Sequence, residues 1–511
     1  MKTSRHQMVA RRKRRIERRL RPRTWTAQAT PMYRARNVQY EHSDRVRGLA
    51  SGGIGAMHRL AHHTGLVDAI DRHLKVLKVH LPYHESDHVL GLAYNVLCGG
   101  TCLQDIEQRR QDEVYLDALG AQRIPDPTTA GDFCRRFDES AIEALQAAIN
   151  ETRRRVWRAQ PVAFFDEAMI DADGTLVETT GQCKEGMDIA YNGVWGYHPL
   201  VVSLANTQEP LFLVNRSGNR PSAEGAAERL DQAHALCRAA GFRRITFRGD
   251  TDFTQTSHLD RWDAAGVRFV FGNDARANVI RCAEALPARA WTPLVRRPSD
   301  AVQTEPRQRP ANVKEAIIVE RAFKNLRLEG EAVAEFAYQP VACATPYRMV
   351  VVRKNISVEQ GDQRLFDEIR YFFYLTNDPD TAAADIVFLA NDRCNQENLI
   401  DQLKHGVGAT RMPVDTLLSN WAYLIMAALA WTLKAWFALR LPTAGRWAAR
   451  YAVEKAAVLR MEFKAFLHAF ILIPVQVVRT SRRLVFRLLA WNPWQAVFLR
   501  GVDQLHQPLW S

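Results

Sequence analysis

The chain has 511 residues, 47% of them hydrophobic and 24% charged, a balance that excludes a fibrous or disordered protein and allows large cores in two to four domains. Its formal net charge of +13 is unevenly placed: residues 1–48 carry fifteen Lys and Arg against Glu17, Glu41 and Asp44, a net of +12, while 49–410 come to −8 and 411–511 to +9. Basic ends suit a polyanion, because each phosphate neutralised releases counterions, whereas an acidic middle suits a metal site better than a phosphate-coating surface.

Residues 1–48 read as a basic arm, helical around 11–20, that DNA would order; Arg11, Arg12, Lys13, Arg14 and Arg15 are its candidate phosphate contacts. More arginine and no apolar core follows them, so no signal peptide is read there. Residues 49–160 read as a helical domain for DNA binding or packing. Apolar positions recur at helical spacing in Leu60, Leu66, Ile70 and Leu74, then in Val89, Leu90, Leu92, Ala93 and Val96. Gly99-Gly100 breaks the pattern, and Asp126-Pro127-Thr128-Thr129 carries the cap chemistry of a further helix.

From 161 the period becomes that of strands: 162–165 with 168–173, then 200–205 and 211–214. A helix follows at 223–240, a strand at 244–247, a helix near 255–265 and a strand at 267–271. Three strands, helix, strand, helix, strand is the order expected of a ribonuclease-H-like core. Residues 275–370 read as a β-rich insertion with strand-like runs at 316–319, 334–338 and 348–352. The stretch 371–412 completes the core with a strand at 371–375 and helix in 381–404, and 413–511 reads as an amphipathic helical region. The fold class is α/β: a ribonuclease-H-like mixed sheet at 161–274 and 371–412, interrupted by the insertion and flanked by helices. Residues 421–433 are too short to span a bilayer before Lys434 interrupts them, and read as a buried helix. The eight cysteines show no CxxC spacing and most stand in apolar runs, which predicts reduced, buried thiols in a cytosolic protein.

Two carboxylates end apolar strands: Asp173, followed by Thr175, and Asp250, after 245–249. In open α/β sheets functional groups gather at strand ends beside a crevice, which would bring both into one pocket. Asp171 shares a strand face with Asp173 and competes with it, or stands behind it. A third block, Arg393-x3-Glu397-x6-Lys404, sets a carboxylate between two cations at helical spacing. Carboxylates so arranged can hold two Mg²⁺ for phosphodiester chemistry. Taken singly, each piece is equally a solvated turn or a solvated charged helix; the combination points to a site. A rival pattern, His84-Glu85-Ser86-Asp87-His88, has the H-E-x-x-H spacing of zinc hydrolases. A cap at Ser86 or Asp87, after Pro82-Tyr83, would start the helix inside that motif and remove the shared face it needs.

With these residues the chain resembles bacterial insertion-sequence transposases of the DDE type, in the transposase DDE domain group 1 branch, where a β-rich insertion separates the second Asp from the Glu. The resemblance spans residues 40–440 and runs through Tyr83-His84-Glu85-Ser86-Asp87-His88, Gly99-Gly100-Thr101-Cys102-Leu103, Pro125-Asp126-Pro127-Thr128-Thr129, Asp173-Gly174-Thr175, Gly196-Tyr197-His198-Pro199-Leu200, Arg216-Ser217-Gly218-Asn219, Arg248-Gly249-Asp250 and 393–404. It also absorbs the H-E-x-x-H match into the helical domain. The resemblance implies a metal-binding and catalytic triad of Asp173, Asp250 and Glu397, with Arg393 and Lys404 as the basic members of a Y-x2-R-x3-E-x6-K signature. Ala390 stands where that signature has Tyr, so the Tyr hydroxyl is missing or supplied elsewhere. Two Mg²⁺ ions, or Mn²⁺ in their place, are the implied cofactors. The implied partners are double-stranded DNA, as terminal inverted repeats and as target, and further copies of the chain in a homodimer or higher oligomer. No membrane partner is implied, and the implied location is the bacterial cytoplasm, at the nucleoid. A DNA-binding relative that has lost catalysis and, further off, a zinc hydrolase built on His84, Glu85 and His88 are the alternatives.

Overall fold

The computed structural model describes residues 5–21, 32, 33, 35, 38–40, 46–179, 181, 183–296, 313–361, 363–480 and 483–507. Much of the basic arm expected between 22 and 45, and 297–312 of the expected insertion, lie outside the described residues. The arm's helix is α1 (Arg5–Leu20), and a two-residue strand, β1 (Gly48–Leu49), leads into the helical region. There the apolar stripe that includes Leu60 and Leu74 is divided between α2 (Ile54–His63) and α3 (Leu66–His73), because Gly65 takes the left-handed φ of 73° that L side chains avoid. Next come α4 (Glu85–Leu97), α5 (Pro127–Cys134) and α6 (Glu139–Arg158). Asp126 caps α5 by accepting the Thr129 N–H at 2.9 Å, with Pro127 opening the helix.

The core follows as β2 (Glu167–Gly174), β3 (Leu200–Leu204), β4 (Glu209–Val214), α7 (Ala226–Ala240), β5 (Arg244–Gly249), α8 (Leu259–Ala264) and β6 (Arg268–Asn273). The strands lie in the order β4-β3-β2-β5-β6. β3 runs antiparallel to both β4 and β2, β5 runs parallel to β2, and β6 runs parallel to β5. That order and polarity make the mixed sheet ribonuclease-H-like. Residues 162–165, expected as a strand, instead form a turn of 3-10 helix after Pro161. A four-residue apolar run does not separate the two periods.

The same ambiguity explains 316–319. Its β-branched run reads as a strand but belongs to a helix, α9 (Val313–Glu320). Beyond it stand three long antiparallel strands, β7 (Lys324–Tyr338), β8 (Tyr347–Gln360) and β9 (Gln363–Thr376). The far end of β9 pairs with β6, from Phe373 opposite Asn273 to Thr376 opposite Val270. The boundary expected at 370/371 therefore falls inside one unbroken strand, and the insertion extends the core sheet rather than forming a separate one.

After α10 (Ala383–Asn391) and α11 (Cys394–Asp401) comes α12 (Leu417–Leu439), which packs against α4, α6 and β4. This helix is long and apolar enough to cross a membrane but is buried inside the protein, so it is apolar all round rather than striped. The tail is not helical throughout. After α13 (Ala448–Arg460) a hairpin of β10 (Val475–Thr480) and β11 (Arg483–Leu488) forms, with β1 pairing onto β10, before α14 (Gln495–Gln504). The cysteines correct the expectation by half: Cys98, Cys134, Cys237 and Cys343 are buried, whereas Cys102, Cys183, Cys282 and Cys394 are exposed thiols.

One fully buried carboxylate joins the layers. Glu209, at the start of β4, accepts from Arg153 Nε at 3.0 Å and Trp157 Nε1 at 2.9 Å on α6, from Trp436 Nε1 at 2.8 Å on α12, and from Thr207 Oγ1 at 2.7 Å. Glu209→Ala would leave the guanidinium of Arg153 buried without its counter-ion and strip two indole N–H groups of their acceptor. The expected loss is about 3–5 kcal/mol of unfolding free energy in urea denaturation. An unchanged midpoint would show that the layers hold together without it.

Candidate active site

The parallel pairing of β2 with β5 sets Asp171 opposite Arg248. Two residues further along each chain, on the same face, come Asp173 and Asp250. The inner pair is structural. Asp171 is fully buried, and Arg248 clasps it with Nε to Oδ1 at 2.7 Å and Nη2 to Oδ2 at 2.8 Å, while Nη1 donates to the Leu389 carbonyl at 2.9 Å. Asp171 ties β2 to β5 and to the end of α10, whereas Asp173 takes no part in that clasp and faces Arg393 instead.

Asp250 leaves the sheet at Gly249, where a side chain would drive a Cβ to within 2.6 Å of Phe253 Cβ. The short helical turn that follows is capped by Asp250 itself, whose Oδ1 accepts the Asp252 N–H at 3.0 Å. The helical element opposite is pinned by Gln396, which donates to the Val201 carbonyl at 3.0 Å and accepts from Ser203 Oγ, both on β3. That seat brings Arg393 over the strand ends. Its Nη1 donates to Asp173 Oδ2 at 3.2 Å, and its Nη2 lies 3.9 Å from Glu397 Oε1. Arg393 also lines a cavity of about 350 Å³ with Asp250, Asn273, Tyr371, Tyr374 and Ala390.

The electrostatics follow from crowding. Burial pushes the Asp173 carboxyl up to about 7; Arg393 opposes the rise, while the neighbouring charges of Asp250 and Glu397 add to it. Asp250 is also raised by burial, with Arg393 pulling it back and Asp252 adding to the rise. Among the described residues no three His, Cys, Asp or Glu side chains stand close enough together to hold a metal ion. The carboxylates share one electrostatic neighbourhood without forming a closed set of ligands. Their chemistry nevertheless suits a hard divalent cation, which takes oxygen donors and would relieve the repulsion that lifts Asp173.

Lys404 sits just behind, in the turn of π-helix that follows α11, with Nζ donating to the Leu176 carbonyl at 2.8 Å; burial pulls it below the ordinary lysine range. Arg11, Arg12, Lys13, Arg14 and Arg15 are not gathered here. They lie on α1, where Arg11, Arg12 and Arg15 stand beside Leu489 and Trp491. The zinc reading fails on geometry. His84 is the N-cap of α4, with its backbone N–H on Asp87 Oδ2 at 2.9 Å and its ring stacked on His80, whereas His88 is buried with its ring stacked on Phe133. Glu85 is turned inward to the Leu77 N–H at 3.1 Å and His80 at 3.0 Å.

Three residues at the site went unassigned in the sequence. The Tyr374 hydroxyl, 3.4 Å from Asn391 Oδ1, lines the cleft that Ala390 leaves open. His198 and Arg216 close the back of β2: a Cβ on Gly174 would lie 2.7 Å from His198 Nε2 and 3.5 Å from Arg216 Nη2. Nη2 has no hydrogen-bond partner, and burial pulls the guanidinium down to about 10. The available signal for His198 and Arg216 was their place in the stretches 196–200 and 216–219; Tyr374 had none beyond an aromatic run.

The family description transposase DDE domain group 1 matches residues 37–509 of the chain. No curated protein sequence matches it. Among solved structures, a piggyBac transposase synaptic complex with hairpin DNA, determined by cryo-EM, is similar at 10% identity and a TM-score of 0.37, over 83% of this chain and 80% of that chain.

Two substitutions separate the aspartates by stability alone. Asp171→Ala strands Arg248 in the interior and is expected to cost about 3–5 kcal/mol in urea denaturation, whereas Asp173→Asn is not expected to destabilise the fold. Asp173 in the folded chain keeps a proton, up to about pH 7, that the unfolded chain has already released, so its contribution to stability is lost as pH rises through about 7. In EDTA, the stability of Asp173→Asn relative to the parent should therefore rise from pH 5 to pH 8. A flat difference would contradict the raised carboxyl.

Proposed function

We propose that this chain, which belongs to the transposase DDE domain group 1 family, binds the terminal inverted repeats of its own DNA element, cleaves the ends and joins the freed 3′ hydroxyls to target DNA. The observation that carries the reading is the meeting of Asp173 and Asp250, at adjacent ends of parallel strands, beneath the Arg393–Glu397 turn. Asp173, Asp250 and Glu397 are the residues that would hold a pair of Mg²⁺ ions, or Mn²⁺ in their place. When bound, such a pair supplies an activated water and charge stabilisation at the leaving oxygen.

The chain's own groups have separable tasks. Arg393 touches Asp173 and lines the cavity beside Asp250, where its guanidinium can hold a phosphate oxygen. Lys404 fixes the loop after β2 through the Leu176 carbonyl and lends positive charge to the same strand of DNA. The Tyr374 hydroxyl offers the cleft a contact of the kind that Ala390 cannot make. Cutting and joining two ends together requires at least two copies of the chain on DNA, and the reading places that work at the nucleoid in a bacterial cytoplasm.

Nicking of duplexes carrying the element's ends, followed in Mg²⁺ and in EDTA, tests the reading. The parent should nick only with the metal. Asp173→Asn should lose nicking by at least a hundredfold and still shift the end duplex in a binding assay. Nicking by Asp173→Asn at the parent's rate would remove Asp173 from the chemistry, and a parent without metal-dependent nicking would remove the reading itself.

A further inference from the structure

The C-terminal hairpin carries positive charge that the cleft does not use. No acidic residue occurs between Glu462 and Asp503, while Lys464, Arg479, Arg482, Arg483, Arg487 and Arg500 fall in that interval. On β11 the strand alternation is clean: Arg483, Val485 and Arg487 are exposed, and Leu484, Phe486 and Leu488 are half-buried. Phe486 is set against α2, its ring 3.0 Å from where a Cβ on Gly55 would stand. The Leu484, Phe486 and Leu488 face borders a cavity of about 870 Å³ shared with Gly55, Arg59 and Phe498, whose lining includes Arg483, and the alternate positions present two guanidinium groups about 13 Å apart along the strand. Neither group has a carboxylate or hydrogen-bond partner among the described residues.

The charge is continuous with the other end of the chain. Leu489, Ala490 and Trp491, directly after β11, share a cavity of about 410 Å³ with Met8, Arg11, Arg12, Arg15 and Ile16 of α1. The basic helix therefore docks where the basic ribbon ends, and β1 is paired to the same sheet through Gly48 and Gln476. Two basic segments almost 480 residues apart thus meet just beyond the end of β11. An edge strand needs a charge or two to discourage pairing with other strands. That need does not explain a forty-residue interval without a carboxylate, or a second arginine-rich element brought alongside.

We infer that the outer face of the β10–β11 hairpin, with Arg483 at its turn, Arg487 further along β11 and α1 beyond its end, is a binding surface for the phosphate backbone of duplex DNA. This rests on the proposed transposase reading and adds to it a contact surface distinct from the cleft. Arginines spaced along a ribbon grip phosphates without reading bases, so the surface holds DNA of any sequence and leaves recognition of the ends to other parts of the chain.

The test is fluorescence anisotropy of the full chain on two duplexes, one carrying the element's ends and one unrelated, between 50 and 200 mM salt. Losing two phosphate contacts should lower the slope of log affinity against log salt by about 2 in Arg483→Gln/Arg487→Gln, and should weaken both duplexes by the same factor. Arg483→Lys/Arg487→Lys should restore most of the slope, and unchanged thermal melts of both variants would exclude misfolding as the cause. A glutamine variant with the parent's slope and affinity overturns the surface while leaving the cleft's function intact. A parent that binds neither duplex overturns the transposase reading and this surface with it.

Discussion

Crowded carboxylates set the terms for this protein. Asp173 and Asp250, both half-buried, and Glu397, which is exposed, reach one electrostatic neighbourhood from three separate parts of the chain, and burial lifts the first of them to about 7. The local counter-charge is a single guanidinium, Arg393, which touches Asp173 and approaches Glu397. A site held this way is under electrostatic tension, since every carboxylate added raises its neighbours. The surrounding architecture supplies the restraint. The Asp171–Arg248 clasp locks β2 to β5 one pleat behind the cleft, and Gln396 seats α11 on β3. Stability invested in those two contacts keeps the repelling groups from moving apart.

Much of this was legible in the sequence where chemistry coincided with an element boundary. Asp173 ends an apolar strand and Asp250 follows one, and the pairing of β2 with β5 sets those strand ends side by side. The spacing of Arg393 and Glu397 gave their common face. What the sequence left open was the role of Asp171. Its position is equivalent to that of Asp173 by period, and only the partner opposite, Arg248, marks it as an internal clasp. Tyr374 was invisible for a related reason, because its place beside Ala390 depends on β9 pairing with β6 across about a hundred residues. The errors in elements were those of short apolar runs. Residues 162–165 and 316–319 have strand composition, yet one is a turn after a proline and the other a helix, and four residues contain too little of either period to decide. The hairpin in the tail was missed because aromatic and aliphatic residues at mixed spacing looked helical.

The distribution of charge, obvious in the composition, acquires a geometry here. An acidic middle between basic ends could describe a chain with two tails pointing apart. Instead β1 pairs with β10 and α1 lies against Trp491, so both ends are gathered on the hairpin side while the carboxylates stay at the strand ends of the core sheet. The clustered arginines and the clustered carboxylates therefore sit on different parts of the fold, where neither set neutralises the other.

The long strands carry a mechanical implication. Because β7, β8 and β9 run 14 to 15 residues each, and β9 passes without interruption into its pairing with β6, the arm they form has no loop at its root to act as a pivot. A load applied at the tip would be transmitted along hydrogen-bonded ladders into the strand that borders Tyr374 and the cavity. The arm is therefore built as a beam rather than a flap. Whatever presses on its far end would be felt at the cleft as bending of the sheet.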